Sequence, residues 1–154
     1  MLDALLTAYD FTHDAAVLKV VQDAVTELYN PGLGLYNPSQ GAFYFAVNAD
    51  GSGLQRAYME TRQCWMVVLL DHLNADDSAG GWSKQAAQMT LVTRDRFYKP
   101  DLQGYVYRLN VNFSLHTAPE GPNRAVVTEN WVTAEADGIG CDALMAGRWG
   151  TRVA

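Results

Sequence analysis

Leu35-Tyr36-Asn37-Pro38-Ser39-Gln40-Gly41 and Phe97-Tyr98-Lys99-Pro100-Asp101-Leu102-Gln103-Gly104 are two copies of one turn, aligned with one residue inserted in the second. Each follows an amphipathic pattern and each leads into a run rich in aromatic residues. Tyr36 and Tyr98 stand 62 residues apart, room for two helices and a strand-bearing loop. A period of that size points to stacked helical hairpins.

Working outward from the first turn, Val17, Val20, Val21, Ala24, Val25 and Leu28 lie on one helical face between His13 and Tyr29. Thr12 is the expected N-cap, and Asn30-Pro31-Gly32 ends the helix. The turn feeds an expected strand, Ala42 to Val47, closed by Asn48-Ala49-Asp50-Gly51. A second helix is expected from about Tyr58 to Leu73, with Arg62, Trp65, Met66, Leu69, Leu70 and Leu73 on one face. A third, Trp82 to Phe97, carries Ala86, Met89, Thr90, Thr93 and Phe97. The second turn leads into a strand over Tyr105 to Val111. A third unit is suggested beyond Pro122, where Val132, Ala136, Ile139 and Ala143 share a face and Gly138 and Gly140 weaken the helix.

Composition narrows the function classes. A chain of 154 residues with 49% apolar content can bury one sizeable core. A net charge of −6 and a pI of about 4.8 leave no electrostatic footprint for nucleic acid. The eleven Lys and Arg are scattered, so no basic run binds an anionic membrane surface. No apolar stretch approaches the roughly 20 residues of a membrane span; Met66 to Leu70 is bounded by Asp71 and His72. Met1 to Leu6 has no basic leader and does not read as a secretory signal. Cys64 and Cys141 read as buried thiols in a reducing compartment, which makes the cytoplasm the expected location. Two cysteines are too few for a structural metal site, and no metal ligand set is read from the sequence.

Tyr44-Phe45-Ala46-Val47-Asn48-Ala49-Asp50-Gly51-Ser52 resembles the segment of N-acylglucosamine 2-epimerase-like proteins in which a Gly–aromatic strand runs into Asp-Gly. Thr61-Arg62-Gln63-Cys64-Trp65-Met66 resembles the helix after it, which in that family carries an Arg-Gln-x-Trp-type motif. The resemblance covers roughly Leu35 to Leu109. It implies a mainly α fold, helical hairpins of an (α/α)6 toroid with short β-hairpins in the connecting loops. It also implies a sugar 2-epimerase or an aldose–ketose isomerase, with a glycoside hydrolase of a six-hairpin toroid as second choice. Six hairpins at this period need roughly 370 residues, and this chain supplies about two and a half. The single domain 1–154 is therefore expected to be an incomplete part of a longer barrel. The alternative is an α+β binding or assembly protein that forms homo-oligomers through apolar helix faces.

The resemblance places Arg62 where the family's arginine binds sugar, and a planar fork of donors suits hydroxyls and a ring-opened carbonyl oxygen. Proton removal next to a carbonyl needs a base poised near neutrality, and histidine suits the task. His13 reads as a surface residue near a helix start. His72 falls late in the second helix, where a cation suits the C-terminal dipole. His116, in a polar loop after a strand, has the best route to a cleft. Trp65, Tyr58, Tyr44 and Trp131 are candidates for a stacking surface under a pyranose ring, or for core. Asn130-Trp131-Val132-Thr133-Ala134-Glu135-Ala136 partly matches the family's Asn-x-His-x-x-Glu-Ala, with Val132 in the His position; the match makes Glu135 a substrate-binding candidate. Such proton transfer requires no cofactor, and the expected partner is a small sugar.

Overall fold

The computed structural model describes residues 1–44, 58–100, 104–106 and 108–115, with residues 58, 60–62 and 104 described in backbone only. The fold is mainly α with short β elements, arranged as two successive copies of a helix pair followed by a β-hairpin. In the first copy, α1 (Leu2–Thr12) and α2 (Ala15–Leu28) precede β1 (Tyr36–Asn37) and β2 (Ala42–Phe43). After β3 (Tyr58–Glu60), the second copy comprises α3 (Trp65–Asp76), α4 (Trp82–Val92), β4 (Tyr98–Lys99) and β5 (Gly104–Tyr105). A last strand, β6 (Arg108–Asn110), pairs antiparallel with β3.

The repeat is tighter than the sequence alignment implied. Tyr36 faces Phe43 and Asn37 faces Ala42 in the first hairpin; Tyr98 faces Tyr105 and Lys99 faces Gly104 in the second. The two registers superpose at a constant spacing with no insertion, so Gly41 and Gly104 are not equivalent. Both hairpins are fastened by the same cross-strand aromatic pair, with ring centroids 5.1 Å apart in one and 5.2 Å in the other. The first turn closes through Asn37, whose side chain accepts from Ser39 N–H and whose carbonyl accepts from Gly41 N–H.

The helices form where periodicity and capping agree. Helix α2 buries Val21 and Val25, and its N-cap is Asp14, which accepts from Ala16 N–H at 2.9 Å. Thr12, the expected cap, instead ends α1, a helix absent from the sequence reading. The reversal between them sits at His13, φ 51°, whose N–H returns to Tyr9 O. Helix α4 buries Ala86, Met89 and Thr90 as expected, then widens into a π turn over Thr93–Phe97 that delivers Phe97 fully buried. The buried hydroxyls of Thr90 and Thr93 donate to the carbonyls four residues back.

The expected helix from Tyr58 is where pairing overrides periodicity. Tyr58–Glu60 is a strand because it has a partner in Arg108–Asn110; Thr61–Cys64 is a 3-10 turn, and α3 starts only at Trp65. The buried face of α3 is Val67, Leu69, Leu70 and Leu73, with Met66 partly covered, so Trp65 turns outward. The expected strand over Tyr105 to Val111 resolves into β5 and β6, which belong to different sheets. Residues 45–47, 48–51 and the suggested third helical unit lie outside the described residues.

Two cores follow from this layout. Leu6, Val21, Val25, Leu69, Leu70, Leu73, Trp82 and Ala86 join the four helices. Ala42, Met59, Cys64, Phe97, Tyr105, Val106 and Leu109 fill the space beneath the strands. Cys64 is disulfide-bonded, which corrects the expectation of a thiol. It is buried among apolar side chains at the start of α3, and Cys141 lies outside the described residues. No helix among the described residues is long and apolar enough to cross a membrane.

Candidate functional site

Of the sequence-derived candidates, Tyr44, Tyr58, Arg62 and Trp65 fall within the described residues. Arg62 sits in the 3-10 turn before α3, not on the α3 stripe, and Tyr58 in β3; both are described in backbone only. Trp65 is 56% exposed, a ring available to a ligand rather than to the core. Tyr44 is half-buried behind the first hairpin, and its hydroxyl accepts from Asn37 Nδ2 at 2.9 Å. His116, Trp131 and Glu135 lie outside the described residues. Gln63, beside Arg62, ties the first hairpin to this turn by accepting from Phe43 N–H at 2.9 Å. The buried guanidinium among the described residues is that of Arg108, opposite Glu60 in the β3–β6 register. His13 is exposed, as expected.

Among the described residues, the densest group of ionisable side chains lies between the equivalent helices α1 and α3. His72 Nδ1 is 3.0 Å from Asp3 Oδ1, and its Nε2 is 3.0 Å from Asp10 Oδ2 and 4.0 Å from Asp76 Oδ2. Asp3 and Asp10 are seven residues apart on α1, and His72 and Asp76 four apart on α3, so each pair occupies one helix face. The ring is 24% exposed. Burial lowers the imidazole's pKa, but the hydrogen bonds and charges of Asp3 and Asp10 outweigh it and set the net direction upward.

Asp3, Thr7, Val67, Val68, Asp71 and His72 line an open cleft of about 480 Å³ beside this group. Two of these residues are valines and two are aspartates. The donor atoms of Asp10, His72 and Asp76 lie within 4.8 Å of one another. In this arrangement, however, each ring nitrogen stands at hydrogen-bond distance from its own carboxylate, the pattern of an imidazolium rather than of a metal centre.

A second polar junction joins the repeats. Asp77 Oδ2 accepts from Gln22 Nε2 of α2 at 2.8 Å and from Trp82 Nε1 at 3.0 Å, while Oδ1 accepts from Gly80 N–H. The Trp82 bond, first, and those from Gln22 and Gly80 hold its carboxyl below the usual range against the opposing effect of burial.

Sequence reasoning missed the His72 group because it missed α1. The signal was present: Leu2, Leu5, Leu6 and Tyr9 have helical spacing, which places Asp3, Thr7 and Asp10 together on another face. Comparison with known protein families, curated proteins and solved structures finds no match for this chain.

Proposed function

We propose that this chain is part of an (α/α) toroid that handles an open-chain sugar, as a 2-epimerase or an aldose–ketose isomerase. The observation that supports the reading is the repetition, in exact hairpin register, of a helix pair followed by an aromatic β-hairpin. Units of this kind stack so that each covers its neighbour, and equivalent helices such as α1 and α3 become neighbours. In this reading Arg62 binds the carbonyl oxygen and His116 removes the proton from the adjacent carbon. The electron pair moves to the oxygen as an enediolate, which the guanidinium stabilises. Return of the proton to the opposite face gives the epimer; return to the former carbonyl carbon, with the hydroxyl proton of the adjacent carbon passing to the first oxygen, gives the isomer. The exposed ring of Trp65, with Tyr58, Tyr44, Trp131 and Glu135, would hold the sugar chain.

The test is proton exchange. Incubation with N-acyl hexosamines and hexoses in D2O should erase the C2 proton resonance of the substrate, and Arg62→Ala should abolish that loss with the circular dichroism unchanged. Absence of exchange and of any sugar-induced shift across the panel would remove the proposal.

A non-catalytic assembly protein is the second reading. It is favoured by Val20, Trp65 and Leu91, exposed at 54%, 56% and 47% on three helices. It predicts a concentration-dependent oligomer in sedimentation and no sugar binding. The disulfide at Cys64 supports an oxidising compartment over the cytoplasm expected from the sequence.

A further inference from the structure

We propose that His72 is a proton-operated latch that fastens α1 to α3 and thereby sets the opening of the cleft between them. The inference is independent of the sugar reading. Helix α1, Leu-Asp-Ala-Leu-Leu-Thr-Ala-Tyr-Asp-Phe-Thr, holds two carboxylates and no basic side chain. Helix α3, Trp-Met-Val-Val-Leu-Leu-Asp-His-Leu-Asn-Ala-Asp, holds two more, and its one residue able to become a cation is His72. Packed together, the helices bring Asp3 and Asp10 of α1 and Asp76 of α3 around the His72 ring.

The geometry makes that counter-charge conditional. Asp3 and Asp10 approach opposite edges of the ring at 3.0 Å each. A neutral imidazole donates from one nitrogen only, so one of the two carboxylates would face a lone pair at hydrogen-bond distance. Protonation supplies the second donor and a positive charge at once. Loss of that proton breaks one of two bonds to α1 and removes the positive charge that Asp3, Asp10 and Asp76 surround.

Among the described residues, the helices packed against this pair carry one lysine each. On α2, which packs on α1, Lys19 is engaged with Asp23 at 2.8 Å. Helix α4 packs on α3, and its Lys84 is exposed. The remaining hold on α1 is modest: Leu6 is its one fully buried side chain among the described residues, with Leu2 and Leu5 partly covered. Because Asp3 and Thr7 form one wall of the cleft and Val67, Val68, Asp71 and His72 the other, movement of α1 changes the cleft directly.

The direction is fixed by the raised imidazole pKa. The latch is fully engaged below the ordinary histidine value of about 6.5 and is lost as pH rises through the higher folded value. The device therefore releases α1 as pH rises above the ordinary histidine range.

Hydrogen exchange on the full chain tests it, with rates corrected for intrinsic pH dependence. Each unit by which the folded pKa exceeds the unfolded one is a tenfold change in the docking equilibrium. Protection of the α1 amides from Leu5 to Thr12, measured against α4, should fall as pH rises from 6 to 9. His72→Asn should be low and flat over the same range. Asp10→Asn, which leaves the ring and one carboxylate partner in place, should shift the fall to lower pH. A flat profile in the unaltered protein, or a pH-dependent one in His72→Asn, would overturn the latch. Loss of α1 protection at pH 6 on adding EDTA would overturn it too, by showing that a bound cation, not a proton, holds the seam.

Discussion

Asp77 is the residue whose removal gives the best-defined energetic outcome. Its two oxygens accept three hydrogen bonds: from Trp82 and Gln22 on Oδ2, and from Gly80 N–H on Oδ1. A net contribution of about 1 kcal/mol for each, at the low end for a charged acceptor because Asp77 is partly exposed, sums to roughly 3 kcal/mol. Asp77→Ala also leaves the Trp82 indole N–H, on a ring only 8% exposed, without this acceptor. Urea unfolding at pH 7, followed by circular dichroism, should therefore show a loss of about 2–4 kcal/mol. Asp77→Asn keeps an acceptor and loses the charge, so about half that loss is expected. Gly80→Ala reaches the same junction by another route, since a Cβ there would lie on the Trp82 Nε1 and Asp77 Oδ2 contact. The pH dependence follows from the depressed carboxyl. Its stabilisation is present above the ordinary Asp value of about 3.9 and is lost as pH falls through the lower folded value. The difference between wild type and Asp77→Asn should be constant from pH 8 to about 5 and shrink below about pH 4. An Asp77→Ala variant within about 0.5 kcal/mol of wild type, or a difference undiminished at pH 2.5, would refute the reasoning.

Two shorter tests address the first hairpin and the cysteine. Gly41 has φ +68°, and a Cβ there would lie 2.5 Å from the Gln88 amide, so Gly41→Ala should cost roughly 1–2 kcal/mol in the same urea assay. A stability equal to wild type would mean that the turn relaxes. In the denatured, unreduced chain Cys64 should resist a thiol-alkylating reagent, and reduction should make it reactive, as read by peptide mapping; alkylation of Cys64 before reduction would contradict the disulfide.

Much of the helical frame was legible in the sequence because single-chain periodicity set it. The stripe Ala86, Met89, Thr90, Thr93 and Phe97 is buried as read, and the turn after α2 falls where Pro31 and Gly32 place it. Legibility failed where a distant partner decides. Tyr58-Met59-Glu60 runs into residues with helical spacing, and only the pairing of Met59 with Leu109 makes it a strand. The His72 group was illegible for a related reason: Asp3 and Asp10 acquire meaning only when α1 is set beside α3. Of the residues chosen from the sequence, Trp65 and Tyr44 are placed with their side chains, and they lie on different elements with different exposures.

The β3–β6 pairing also bears on the order in which the chain folds. Tyr58 and Asn110 bracket the whole second copy, so this ladder is a clasp that shuts only after α3, α4 and the second hairpin have been synthesised. The first helix pair and its hairpin can assemble from local contacts as they emerge, within microseconds to milliseconds. The strand core, with Met59 on one side of the clasp and Leu109 on the other, must wait for a loop closure across that entire copy. Until then Met59, Phe97 and Leu109 lack their final cover, and a nascent chain halted between Lys99 and Arg108 would expose a sticky seam where the finished protein has a sealed one.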